Sequence, residues 1–249
     1  MSAAPDAVLS DSPAAATACR LLVVNGNTTA ELTASLAIQA RLFFGEAAQV
    51  HAVTVPFGPA YIASRAQAVV SAHAVLETVE REAAHADAAG APFDACLLAC
   101  FGEPGIGAVR ERLRMPVAGM AEAAIMTALQ RGDRYAIVTV GRLWPGMLRE
   151  QIRQLGLESR CAGVVALPGN ALDYVARSPA TIAAVGQALD DAVALGADVV
   201  IVAGAALAGF LPSLPRLPAV PVIDSYRAAL SQVLALATLE RAQRQSAGR

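Results

Sequence analysis

Short apolar runs alternate along the chain with longer, Ala-rich stretches in which apolar positions recur with helical spacing. A buried strand reads as a run of roughly four to eight apolar residues, while a helix packed on one face repeats near 3.6, so the alternation predicts strands separated by helices. Strands are predicted at residues 20–25, 50–55, 94–100, 117–120, 135–140, 164–167, 197–204 and 220–223. Helices are predicted at 28–44, 63–89, 105–113, 122–131, 147–155, 180–195 and 225–241. Regular alternation of this kind belongs to α/β proteins, with mostly parallel sheets covered by helices on both faces.

An internal echo divides the pattern in two. Asp94-Ala95-Cys96-Leu97-Leu98-Ala99-Cys100 aligns without gaps on Asp198-Val199-Val200-Ile201-Val202-Ala203-Gly204, and each run follows an Ala-rich helix. Two similar lobes are therefore predicted, one from residues 19–117 plus 223–249 and the other from 118–222, after a disordered tail at 1–18. In open α/β sheets ligands bind at the carboxyl ends of strands, where Cys100 and Gly204 both fall.

Composition narrows the function classes. The 249 residues are 55% hydrophobic and carry 19 basic against 21 acidic side chains, a net charge of −2, with the basic residues scattered. Neither a nucleic-acid groove nor an anionic-membrane patch is expected from such a balance. No run reaches the roughly 18 to 20 apolar residues that cross a bilayer, and the N-terminal segment lacks the basic-then-apolar order of a signal peptide, so a cytoplasmic protein is expected. Apolar Ala-rich helices make a homo-oligomer plausible.

Four cysteines and three histidines show no metal-ligand spacing, and no metal site is expected. Cys96 and Cys100 share one predicted strand and one face by alternation, at a separation too long for a disulfide. Cys161 falls in a predicted connection, and His51, His73 and His85 match no motif.

Two turns could carry chemistry. Asn25-Gly26-Asn27-Thr28-Thr29 follows the first strand and reads either as a helix cap or as a cradle of backbone N–H groups for an anion. Ala99-Cys100-Phe101-Gly102-Glu103-Pro104-Gly105 ends a buried strand and opens a helix, whose positive end is expected to lower the Cys100 pKa and favour the thiolate. Trp144 and Arg142 could form a lid, or the indole could pack on a neighbouring subunit or helix. Asp224 is expected to cap the last helix.

These two turns, together with Pro116-Val117-Ala118-Gly119-Met120-Ala121-Glu122-Ala123, Val138-Thr139-Val140 and Pro221-Val222-Ile223-Asp224, resemble successive motifs of the aspartate/glutamate/hydantoin racemase family. The resemblance implies two flavodoxin-like or Rossmann-like lobes related by a pseudo-twofold axis, with the active site between them. It implies no organic or metal cofactor. A small carboxylate or cyclic ureide is the implied substrate, and one cysteine per lobe would move a proton at a carbon next to a carbonyl or carboxylate. Cys100 would be one of these, while Asn25, Thr28, Thr29, Thr139, Val140, Ala205 and the backbone around Phe101 and Gly102 would face the substrate. Glu122 is either a further substrate residue by the resemblance or a carboxylate favoured in a first helical turn.

The chain departs from the family pattern at Ala203-Gly204-Ala205-Ala206-Leu207-Ala208, where Gly204 stands in the place of the second cysteine. Three readings stay open: an isomerase with Cys100 as its acid/base, a cofactor-free decarboxylase of a malonate-like acid resembling arylmalonate decarboxylase, and a catalytically silent small-molecule binder.

Overall fold

A computed structural model of the chain describes residues 18–247. The expected tail lies outside the described residues apart from Ala18. Two four-stranded sheets, both fully parallel, carry the architecture. The first joins β1 (Cys19–Asn25), β2 (Ala48–Thr54), β3 (Ala95–Leu98) and β4 (Val117–Gly119) in the order β2-β1-β3-β4. The second joins β5 (Tyr135–Val140), β6 (Cys161–Leu167), β7 (Val199–Val202) and β8 (Val222–Asp224) in the order β6-β5-β7-β8, which is the same path.

Strand alternation decides which side chains meet which layer. Leu21, Val23 and Leu97 of the first sheet and Ile137, Val199 and Ile201 of the second point into one shared cluster. Here they meet the helices α1 (Ala30–Phe44), α4 (Met120–Leu129), α5 (Trp144–Gln154) and α7 (Ser225–Ala247). Leu22, Val24 and Leu98 face outward onto α2 (Arg65–Ala88) and α3 (Ile106–Arg112), and Val138, Val200 and Val202 face outward onto α6 (Pro179–Ala194). Each of these fully buried aliphatic side chains contributes about 1.5–3 kcal/mol by leaving water. The shared cluster is what makes the lobes one body.

The internal echo has a structural counterpart. At the start of the third strand of each lobe an aspartate takes the same bond, Asp94 N–H to the Arg20 carbonyl (2.7 Å) and Asp198 N–H to the Arg134 carbonyl (2.8 Å). Their carboxylates accept in return from the Arg20 N–H (2.8 Å) and the Arg134 N–H (2.9 Å). At the far end Ala99 N–H reaches the Val24 carbonyl (2.9 Å) and Ala203 N–H the Val138 carbonyl (2.8 Å). Cys100 and Gly204 are thus both second after a strand's last residue.

Some sequence expectations shift. Because β3 stops at Leu98, the backbone turns before Cys100, so Cys96 packs outward while Cys100 joins the shared cluster; they do not share a face. Cys161 opens β6, a strand half-exposed along most of its length, rather than lying in a connection. The lobe boundaries expected after residues 117 and 222 each fall within a strand, since β4 and β8 run across them. Among the described residues no helix is long and apolar enough to cross a membrane.

Candidate active site

The carboxyl ends of β1, β3, β5 and β7 surround a cavity of about 40 Å³, room for roughly three waters at 10–15 Å³ each. The first lobe lines it with Asn27, Leu32, Tyr61, Ile62, Cys100 and Phe101. From the second lobe come Thr139, Val140, Trp144, Gly204 and Leu207, with small side chains at Ala171, Ala203, Ala205 and Ala206. Six of the positions that the family resemblance pointed to therefore meet here: Cys100, Phe101, Thr139, Val140, Gly204 and Ala205.

Cys100 is held in a tight turn, where Glu103 N–H donates to its carbonyl (3.0 Å) and Gly26 packs so closely that a Cβ there would lie 3.5 Å from that of Cys100. The thiol is 8% exposed. Burial pushes it up to about 11, and the N–H groups of Gly102 and Glu103 aimed at the sulfur only partly oppose the rise. The lowered pKa expected from a helix N-terminus is therefore not found. The reason is geometric, for α3 starts only at Ile106 and has seven residues.

The first turn serves mainly to hold itself. The Asn25 amide is 1% exposed and donates to Asn27 Oδ1 (3.0 Å), the Thr29 carbonyl (3.2 Å) and Thr33 Oγ1 (3.0 Å). Thr29 Oγ1 donates to the Ala60 carbonyl (2.7 Å), and Thr28 N–H to the Pro59 carbonyl (3.1 Å). The Asn25, Thr28 and Thr29 side chains are not part of the cavity wall; Asn27, held by its neighbours, is.

Glu122 also lies elsewhere, paired to Arg110 through two bonds of 3.0 and 2.6 Å. Gly102 backs the wall rather than lining it: a Cβ there would stand 2.6 Å from the Trp144 ring, so only glycine lets the indole lie against the Cys100 turn. Trp144 is the first residue of α5 and 5% exposed, while Arg142 is exposed and outside the cavity. The indole thus forms wall without the arginine expected beside it as a lid.

Tyr61 spans the lobes. Its hydroxyl donates to the Val140 carbonyl (2.8 Å) and accepts from Trp144 Nε1–H (3.0 Å). Burial pushes it up to about 12, the Trp144 hydrogen bond lowers it in part, and the nearby Cys100 adds to the rise. No motif marked this residue. The strand-end rule could have found it, because the loop after β2 opens at the same end of the sheet as the Cys100 turn.

Glu103 is the other residue missed. Its carboxylate, 4% exposed, accepts from Glu122 N–H (2.8 Å) and Gln151 Nε2–H (2.7 Å), tying the Cys100 turn to α4 and α5. Burial raises its pKa to about 7. Asp224 caps α7 as expected, accepting from the N–H groups of Tyr226 (2.9 Å) and Arg227 (3.2 Å), and it also holds Gly209 N–H (2.6 Å) in the loop after β7. His51 and His73 pair with Glu82 and Glu77 on the surface. Among the described residues no three His, Cys, Asp or Glu gather as a metal-binding group.

The chain is 32% identical over 211 residues to the hydantoin racemase of Paenarthrobacter aurescens, covering 84% of this chain and 87% of that one. The crystal structure of allantoin racemase from Pseudomonas fluorescens matches with a TM-score of 0.79 and 30% identity, over 88% of this chain and 91% of that one. An allantoin racemase from Klebsiella pneumoniae matches with a TM-score of 0.80 and 28% identity, over 89% of each chain. Residues 21–233 match the Asp/Glu/hydantoin racemase family throughout, and with the repeated lobes this makes the chain a racemase-type isomerase belonging to that family.

Proposed function

We propose that this enzyme racemises a neutral cyclic ureide of the hydantoin type, with Cys100 exchanging the proton on the ring carbon beside a carbonyl. The observation that carries the reading is the cavity lining: Cys100 faces a buried space between the lobes, and among the described residues its wall holds no Asp, Glu, Lys, Arg or His. A free amino acid brings a carboxylate and an ammonium, and burying either without a partner costs several kcal/mol. A ureide ring brings only N–H and C=O groups, which the Asn27 amide, the Thr139 hydroxyl and nearby backbone can match. Kinship to a hydantoin racemase and to allantoin racemases supports the same class.

The reaction asks for proton transfer alone. A thiolate removes the ring hydrogen, the carbonyl takes up the developing enolate charge, and a proton returns to the carbon. The open space beside Gly204 gives a decarboxylase some support, because a departing carboxylate would have room there. A malonate-like acid, however, would bring two carboxylates into a wall with no cation.

The test is incubation of one enantiomer of a 5-substituted hydantoin with the enzyme in heavy water. Loss of optical rotation with gain of one deuterium is expected. Unchanged rotation and mass with every hydantoin tried, or carbon dioxide released from an arylmalonate, would overturn the reading.

A further inference from the structure

A racemase must reach both faces of one carbon, and Gly204 offers no proton at the second lobe's strand end. Among the described residues lining the cavity, two side chains carry a titratable proton, Cys100 and Tyr61. We propose that Tyr61 is the second acid/base, serving the face of the substrate carbon opposite Cys100. The proposal rests on the racemase reading above.

Position is the first argument. Tyr61 belongs to the first lobe, yet its hydroxyl reaches the second, where it donates to the Val140 carbonyl at the end of β5 (2.8 Å). A Cβ on the next residue, Gly141, would lie 3.6 Å from that oxygen. β5 pairs with β7, the strand that ends just before Gly204. One proton carrier therefore enters the cavity from the first lobe's turn, and the other stands over the second lobe's strand ends.

Chemistry is the second. In one direction the Cys100 thiolate takes the ring hydrogen, breaking C–H and forming S–H, and the electron pair moves onto the carbonyl as enolate. The Tyr61 O–H then turns from the Val140 carbonyl to the opposite face of the carbon, breaking O–H and forming C–H. The phenolate left behind keeps the hydrogen bond from Trp144 Nε1–H (3.0 Å). In the reverse direction the phenolate is base and the thiol is acid, so successive turnovers of opposite sense restore both groups. Each anion opposes ionisation of the other, as the influence of Cys100 on Tyr61 indicates, so whenever one group is ionised the other stays protonated. The remaining polar side chains of the wall, Asn27 and Thr139, do not ionise in the working range.

The experiment compares wild type, Tyr61→Phe and Cys100→Ser, each given the two enantiomers separately in heavy water. With Tyr61→Phe, racemisation is expected to fall at least 100-fold while deuterium exchange persists for the one enantiomer whose hydrogen faces Cys100. A merely structural role would not select between enantiomers. Racemisation by Tyr61→Phe within tenfold of wild type, or loss of exchange for both enantiomers alike, overturns the assignment of Tyr61 while wild type remains a racemase. Wild type that exchanges neither enantiomer overturns the racemase reading and this role together.

Discussion

The two lobes share a strand order, an aspartate clamp at the head of the third strand and a backbone bond at its foot, yet beyond the foot they differ. The first lobe turns into a buried thiol; the second turns through Gly204 at φ 113° and ψ 145°, where an L side chain is strained. The asymmetry therefore lies in the backbone as well as in the side chain, a thiol at Cys100 and none at Gly204. A symmetric scaffold can place two strand ends around one cavity and still give them different backbone and different side chains. In this chain the second lobe supplies wall, the Trp144 indole and the carbonyl on which Tyr61 docks.

The sharpest probe of that asymmetry is pH, since one strand end ionises and the other cannot. Burial holds the Cys100 thiol near 11, so at neutral pH only a small fraction is thiolate, and that fraction grows about tenfold per unit until the pKa is approached. Raising an acid's pKa depletes its ionised form, so activity must climb with pH. Initial rates of deuterium exchange for the enantiomer facing Cys100 are expected to rise about 100-fold from pH 7 to pH 9 at subsaturating substrate. Cys100→Ser should lose at least roughly 1,000-fold and with it the climb, a serine hydroxyl being far less acidic. A profile flat over that range would mean that the sulfur is not the titrating group.

Much of the scaffold was legible because its strands are short, apolar and buried on both faces, as in β5, where all six residues are buried. β6 was read three residues short because its first residues, Cys161, Ala162 and Gly163, are small, and Ala and Gly have little preference for strands. For the candidate site, motif and cavity coincide at Cys100, Phe101, Thr139 and Gly204. They part at Asn25, whose amide turns inward to hold the loop, and at Glu122, which pairs with Arg110 in the first turn of its helix. Tyr61 carries no local pattern at all. Only the general rule that loops after strand ends face the site points to it, and its bond to the Val140 carbonyl depends on the loop after β2 reaching the other lobe.

A second probe puts a side chain back on the deficient strand end. A Cβ at Gly204 meets nothing within 4 Å, so the cost of Gly204→Ala is backbone strain, about 1–3 kcal/mol. That corresponds to a fall in melting temperature of roughly 2–12 °C for a domain of this size. Gly204→Cys should show the same fall and differ from Gly204→Ala in one respect, by restoring part of the racemisation lost in Tyr61→Phe. Identical racemisation by the two double variants would indicate that this strand end does not address the carbon that Cys100 serves.

The smallest effect concerns the clamps, the feature the lobes share most closely. Asp94 is 7% exposed, and beyond the Arg20 N–H its carboxylate has Arg241 and Arg244 of α7 at 3.6 and 3.8 Å. Asp198 is exposed and accepts from the N–H groups of Asp133 (3.2 Å) and Arg134 (2.9 Å), which water can reach when the carboxylate is gone. Removing a buried acceptor leaves its donor without a partner, at about 1–3 kcal/mol, whereas an exposed donor is rehydrated and the loss stays near 1 kcal/mol or below. Asp94→Ala should therefore destabilise the protein more than Asp198→Ala by about 1–2 kcal/mol in urea unfolding, with the slope against denaturant unchanged. Equal losses would mean that α7 contributes nothing to the first clamp, and a larger loss at Asp198 would reverse the ranking of the two lobes by burial. The expected order follows from solvent access alone, since the backbone bonds on either side of the two aspartates agree to within 0.1 Å.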